Sequence, residues 1–373
     1  MHSPRGPITS AGVGLLALPL LQVRAPAQPQ LEIASSVALS QLYDDNLFST
    51  PGKQEADHIW RLSPRLGVGR RSSRLRLRAH YGLDSEVFRS HPELNAVAAG
   101  QRAALDVEWR MSPLLELAAT AGYASAQTPG ELNALTGVQA GRLPASELST
   151  TESLSRRLGA RTRVTLAHHF MRQEVATYPD SDTHTVRVAM EHRLRVGDVG
   201  RLAYSVRRYA FGPDPIVSHV VTLGWSGKLS SVVHVELDAG PSVTGHTIGA
   251  DVTAALRRRF RFGDAGLAYL HTQTTVLGEP GPVTVEGLSA TFNRRLGSLR
   301  VGVGSSFFSL HGRSESTIRL GAEVSWRLTQ RMTLTASHQF ALQQGGAGLA
   351  RGSDAEIAHH RVLVGLAATS GGP

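Results

Sequence analysis

The chain has no cysteine, which excludes a lipoprotein anchor, a disulfide scaffold and thiolate metal sites together. Lysine is almost missing as well. Lys53 and Lys228 are the two lysines among 39 basic residues, so arginine carries the formal net charge of +9. Nowhere do 18 consecutive apolar residues occur, and no segment can therefore cross a bilayer as a helix. Aromatic residues are sparse at 6%. No Gly-x-Ser-x-Gly elbow or other spaced nucleophile motif occurs, so no catalytic residue is expected. The 16 histidines include the pairs His168-His169 and His359-His360. Neighbours on a strand point to opposite faces, so neither pair can hold one metal ion, and no metal or cofactor is expected. Asp44-Asp45-Asn46 offers oxygen ligands suited to calcium, but the same three residues form an Asx turn more readily.

What is present is an alternation of apolar and polar residues at period two, repeated along most of the chain. From Arg74 to Asp84, Arg74, Arg76, Arg78, His80 and Asp84 fall on one face, while Leu75, Leu77, Ala79, Tyr81 and Leu83 fall on the other. The comb returns at 102–110 and at 317–328, where Ile318, Leu320, Ala322, Val324, Trp326 and Leu328 alternate with polar residues that include Arg319, Glu323 and Arg327. A soluble sandwich would alternate in the same way. The leader and the spacing of the turns separate the two architectures.

A basic start at His2 to Arg5, a 12-residue apolar core from Ala11 to Gln22, and Ala25-Pro26-Ala27 before Gln28 read as a secretory signal peptide over 1–27, with cleavage after Ala27. Beyond it, about 18 strands are expected in a single domain over 28–373, the first opening near Leu31, others near Ser149 and Val252, and the last near Ala355. An even number returns both ends to the periplasmic side, as in bacterial single-chain barrels. Short hairpin connections at 71–73, 111–113, 158–160, 196–198, 229–231, 263–264, 296–298 and 328–330 alternate with longer polar segments at 44–56, 128–147 and 343–353. The longer segments are assigned to the outer surface. The expected fold is all-β, an antiparallel up-and-down transmembrane barrel of about 18 strands.

Composition agrees with a wet interior, since 41% of residues are hydrophobic and mean hydropathy is slightly negative. Trp60, Trp109, Trp225 and Trp326 lie near strand ends, where an interfacial girdle would use them. A basic chain raises nucleic acid as a partner, but the arginines lie in neither a tail nor a helix, and none is expected. Arg61, Arg65, Arg74, Arg76, Arg78, Arg187, Arg257, Arg259, Arg319 and Arg327, with Glu323, lie on polar strand faces and are the expected pore lining. Such a lining would gather anions. The competing role is structural, through ion pairs with carboxylates such as Asp106, Glu108, Glu116, Glu191, Glu236, Asp238 and Glu323.

The segment Tyr43-Asp44-Asp45-Asn46-Leu47-Phe48, followed by Trp60, Leu62-Ser63-Pro64 and Leu66, resembles the β-barrel porin families of Gram-negative outer membranes, relatives of which often accompany exopolysaccharide loci. The likeness covers about residues 31–88. It implies an outer-membrane conduit in contact with outer-membrane lipid, with an exported polysaccharide as cargo and periplasmic export proteins as partners. The chain departs from that pattern at its end, where 362–373 lacks the terminal aromatic by which such barrels are recognised for assembly. Two further functions fit the residues. One is a general or anion-preferring diffusion porin passing small anionic solutes, and the other is a structural or adhesive barrel plugged by its loops.

Overall fold

The computed structural model describes residues 30–52, 54–133, 141–211, 214–276, 281–311, 315–345 and 356–370. The expected signal peptide lies outside these residues, as does most of the 343–353 segment. Eighteen strands follow one another: β1 (Gln30–Asp44), β2 (Asp57–Arg71), β3 (Leu75–Phe88), β4 (Ala96–Arg110), β5 (Leu115–Ala126), β6 (Ala145–Arg157), β7 (Thr162–Val175), β8 (Ser181–Arg195) and β9 (Asp198–Ala210) make the first half. The second half is β10 (Ile216–Lys228), β11 (Val233–Thr244), β12 (Thr247–Phe260), β13 (Gly263–Thr274), β14 (Val283–Leu296), β15 (Leu299–Leu310), β16 (Ser316–Arg327), β17 (Met332–Gln344) and β18 (Ile357–Ser370).

Every strand pairs antiparallel with its sequence neighbours, and β1 pairs with β18 from Ser35↔Ser370 to Asp44↔Arg361, which closes the sheet into a barrel. Closure leaves no edge with unpaired backbone groups, as a membrane-spanning sheet requires. The barrel, its antiparallel order and its strand number all agree with the sequence expectation. Strands of 12 to 15 residues are long enough to cross the bilayer at the tilt of about 35–45° usual for such barrels.

Alternation then fixes which side chains meet lipid. Outward positions include Leu39, Leu62, Leu223, Val303 and Leu320, all exposed and all apolar, and together they form the apolar belt. Tyr43, Trp60, Tyr123 and Phe307 stand outward near the loop ends of their strands, and Trp109, Trp225, Phe260, Phe292 and Trp326 near the other ends. The four tryptophans thus take the girdle positions expected of them, where an amphipathic ring meets both headgroup and hydrocarbon.

The short connections lie on one rim and the long ones on the other. Several boundaries differ from the sequence expectation. The turn expected at Gly263-Asp264 sits instead at Arg261-Phe262, because Gly263 and Asp264 already pair with Phe260 and Arg259. A Cβ at Gly263 would overlap the Asn293 carbonyl oxygen of β14, so glycine is required in that ladder. On the long-loop rim, β11 and β12 meet in a two-residue turn at Gly245-His246, with Gly245 at φ +58. Strands β6 and β12 also begin four and five residues earlier than expected, at Ala145 and Thr247: Ala145 is buried with Val175 beneath the inward loop, whereas β12 runs straight out of the Gly245-His246 turn with Ile248 exposed. β18 begins two residues later than expected, at Ile357.

The described residues form no central core. Buried apolar residues gather at the long-loop rim in small clusters: Leu42, Leu47, Ile59 and Phe88 in one, Val276, Val283, Val285, Phe308 and Leu310 in another, and Ala145 with Val175 in a third. Each cluster pins a loop against the inside of the wall.

Candidate functional site: the lumen constriction

The register places the inward residues without ambiguity. Arg61 and Arg65 on β2, Arg76 and Arg78 on β3, Arg187 on β8, Arg257 and Arg259 on β12, and Arg319, Glu323 and Arg327 on β16 all point into the lumen. Arg74 lies in the β2–β3 turn and not in a strand. The doublets divide as period two requires, with His359 inward and His360 outward, His169 inward and His168 outward.

The segment 128–147, assigned from sequence to the outer surface, instead begins by turning into the barrel, and its last three residues, 145–147, belong to β6. A 3-10 turn at Pro129–Glu131 reaches the opposite wall, where the Arg319 Nη2 donates to the Gly130 carbonyl at 3.3 Å. Glu131 stands 3.5 Å from Arg361 on β18 and 3.8 Å from Arg61 on β2. The β13–β14 connection behaves similarly. The Thr275 hydroxyl donates to Gln173 of β7 at 3.0 Å, and the Tyr209 hydroxyl of β9 donates to the Gln273 carbonyl at 3.2 Å. β7 and β13 are six strands apart around the barrel, so this contact also crosses the lumen. Polar, small residues around Thr128-Pro129-Gly130 read as an outside loop because sequence carries no sign of which way a loop folds.

Around Glu131 the lumen narrows to a cavity of ≈ 570 Å³, whose lining includes Arg61, Arg102, Arg319, Arg361, Ser337 and Gln339. Its arginines are not equivalent. Arg61 is held by Glu86 at 2.5 Å, Arg102 by Asp84 at 3.2 Å, and Arg361 by Asp44 at 3.0 Å. Asp44 itself is 1% exposed; it accepts from His359 at 2.5 Å and from the Asn46 backbone N–H at 3.1 Å. That last bond is the Asx turn expected at this tripeptide. The carboxylate thus accepts from three protein donors, a guanidinium among them. Arg142, from the loop segment before β6, comes within 3.7 Å of Glu86. Burial draws its guanidinium below the ordinary arginine value, and Glu86 opposes that shift. Arg319 differs from all of these, since among the described residues no carboxylate lies within ion-pair distance of it.

Toward the short-turn rim the balance changes. Arg76 pairs with Glu108 at 2.8 Å, Arg201 with Asp238 at 2.7 Å and Glu191 at 3.2 Å, and Arg257 with Asp264 at 3.3 Å. Arg78, Arg157, Arg163, Arg259, Arg295, Arg300 and Arg327 also face inward, and among the described residues none of them forms an ion pair, although Asp106, Glu191 and Asp264 stand opposite Arg78, Arg163 and Arg259 in the register. Arg157 and Arg163 even stand opposite each other across one hairpin, as do Arg295 and Arg300. Such like-charge juxtapositions are tolerable where water fills the space between them.

No protein-family model matches the chain, and no curated protein sequence matches it. Solved structures do. OpdO of Pseudomonas aeruginosa aligns with a TM-score of 0.52 and 9% identity over 91% of this chain and 97% of that one. OccK2 (OpdF) of the same organism aligns at 0.51 and 9% over 92% and 98%, and its complex with glucuronate at 0.50 and 10% over 91% and 98%. At such identities the likeness is one of fold. A closed 18-stranded antiparallel barrel with an apolar belt, aromatic girdles and one rim of short turns is the architecture of the bacterial outer membrane, and the barrel is an outer-membrane one.

Proposed function

We propose that the protein is a passive porin-like channel that admits small solutes and favours anions. The observation that carries this is the excess of inward arginines not held in ion pairs, which leaves net positive charge facing the lumen from the short-turn rim up to Arg319 at the constriction. A ring of fixed cationic groups raises the local concentration of anions and lowers that of cations. Selection then rests on width and charge, with no covalent step.

Polysaccharide export, implied by the sequence resemblance, finds less support. The inward aromatic residues of the strands, Phe88, Tyr209 and Phe308, are all buried within the wall, so none offers a stacking platform to a sugar ring. The 1–27 segment is retained as a cleaved secretory signal that delivers the chain to the outer membrane. OccK2 is known in complex with glucuronate; a small carboxylated solute is a reasonable first probe for this channel also.

Reconstituted in a planar bilayer under a salt gradient, the protein should give a reversal potential on the anion side. Absence of conductance would identify a plugged barrel, and cation preference would show that the carboxylates of the constriction set the field instead.

A further inference from the structure

Glu152 faces outward. It lies opposite Ala119 of β5 and His168 of β7, both on the lipid side of the wall. Within Ala145–Arg157 it is seven residues from the loop end and five from the turn end, close to the middle of the bilayer. The other outward carboxylates among the described residues lie at strand ends: Glu174, Asp182 and Glu286 within four residues of a loop-side end, where headgroups and water reach them, and Asp198 at a turn-side end, where it pairs with Arg195. An ionisable group at mid-depth facing hydrocarbon is costly, and such residues normally face protein or water.

Two imidazoles extend the polar spot. His168 Nδ1 is 3.0 Å from the Glu152 carboxylate, and His168 Nε2 is 3.3 Å from His184 Nδ1 on β8. Glu152 and His168 nevertheless remain 49% and 41% exposed, so this chain does not cover them. On the other side of Glu152 the wall is low, because Ala119 and Ala121 stand opposite Glu152 and Thr150.

The far side of the barrel supplies a comparison. His338 and His360 repeat the imidazole arrangement, with 3.3 Å between Nε2 and Nδ1, and Phe340 packs on His360 as Phe170 does on His184. The residue opposite His338 there is Ala322, in the place Glu152 holds opposite His168. A histidine–phenylalanine pair at this level is thus an aromatic wall feature, and the carboxylate is what sets the β6–β8 face apart.

We infer that the outward face of β5–β8, centred on Glu152, is the contact through which a second copy of this chain packs in the membrane. The face is self-complementary. It carries a carboxylate acceptor beside imidazole donors, and a two-fold axis parallel to the barrel axis sets the Glu152 of one copy against the histidines of the other. All copies insert in one orientation and so bring these groups to the same depth. The low alanine wall lets the two sheets approach closely, and the contact removes the carboxylate from lipid.

The absence of cysteine makes the test direct. Thr150→Cys places a single thiol on this face, and Ala254→Cys places one at a similar depth on the outward face of β12. In intact outer membranes, a short bis-maleimide should link Thr150→Cys into a species of twice the chain mass and leave Ala254→Cys monomeric. Adding Glu152→Leu to Thr150→Cys should reduce cross-linking to the Ala254→Cys level while heat-modifiable mobility persists. The inference is overturned by a folded, unlinked Thr150→Cys protein, by equal linking at both sites, by linkage to a different protein, or by Glu152→Leu leaving linkage unchanged. Should Glu152→Leu fail to assemble, the comparison of the two cysteine positions decides alone.

Discussion

The two halves of the lumen use the same residue for different ends. Near the long loops, Arg61, Arg102, Arg207 and Arg361 are each held by a carboxylate, and they fasten the inward loops and the closing seam. Near the short turns, Arg78, Arg163, Arg259, Arg300 and Arg327 face the lumen without such partners. An arginine whose charge is answered at contact distance adds rigidity and little field, whereas an unanswered one adds field and little rigidity. Charge counted along the chain cannot separate the two roles; pairing can.

The largest effect is expected at the seam. Asp44→Ala would leave His359 without its carboxylate and Arg361 with Glu131 alone, deep inside the wall, and should destabilise the barrel by about 3 kcal/mol. Arg163→Gln in the open half should change stability little. Denaturant midpoints followed by heat-modifiable mobility measure both, and equal losses would erase the distinction between the halves.

Charge reversal is the next test. Changing Arg76, Arg78 and Arg319 together to Glu should move the reversal potential toward cations. Done separately, the effect of Arg78→Glu should fade with salt, as the Debye length falls from about 30 Å at 0.01 M to about 3 Å at 1 M. That of Arg319→Glu, inside the narrow part, should survive higher salt. Identical salt dependence at the two positions would mean that both sit in equally open water.

Glu131→Gln should have a smaller effect in the same assay. It removes the carboxylate shared by Arg61 and Arg361, so anion preference should rise modestly while Glu86 and Asp44 keep both side chains in place. A fall in anion preference would show that Glu131 acts mainly by holding its loop.

The smallest effect concerns the β3–β4 loop. His91 Nδ1 lies 2.8 Å from Asp57 and Nε2 3.3 Å from Glu55, and the hydrogen bond to Asp57 holds the imidazole above its ordinary value. A raised folded-state value means that the clip is fully present below the ordinary histidine range and is lost as pH rises through the raised value. Proteolysis within residues 89–95 should therefore quicken with pH in that window, and His91→Ala should abolish the dependence.

Much of this was legible in the residues. The alternation around Arg76 and Arg319 already sorts each onto the face opposite the apolar stripe, because period two is imposed by the backbone of any strand. Tight turns such as Val196-Gly197 were legible through their local chemistry. Glu131, His359 and Arg361 are not legible as parts of a constriction. Glu131 sits in a polar loop that resembles an exposed one, and its partners lie in strands far away in sequence. Glu152 is not legible either, because a carboxylate on a strand looks the same whether its face meets water or lipid until the register is known.

Sequence alone determined the strand number, the antiparallel order and the sorting of residues between lipid and lumen, because each is fixed by local periodicity and by the need to satisfy every backbone group within the bilayer. Tertiary structure decided which arginines are neutralised, how far the lumen narrows and which part of the outer wall is polar. Those properties depend on contacts between residues hundreds of positions apart, such as Asp44 with Arg361 across the closing seam, and on loops whose direction no local pattern encodes.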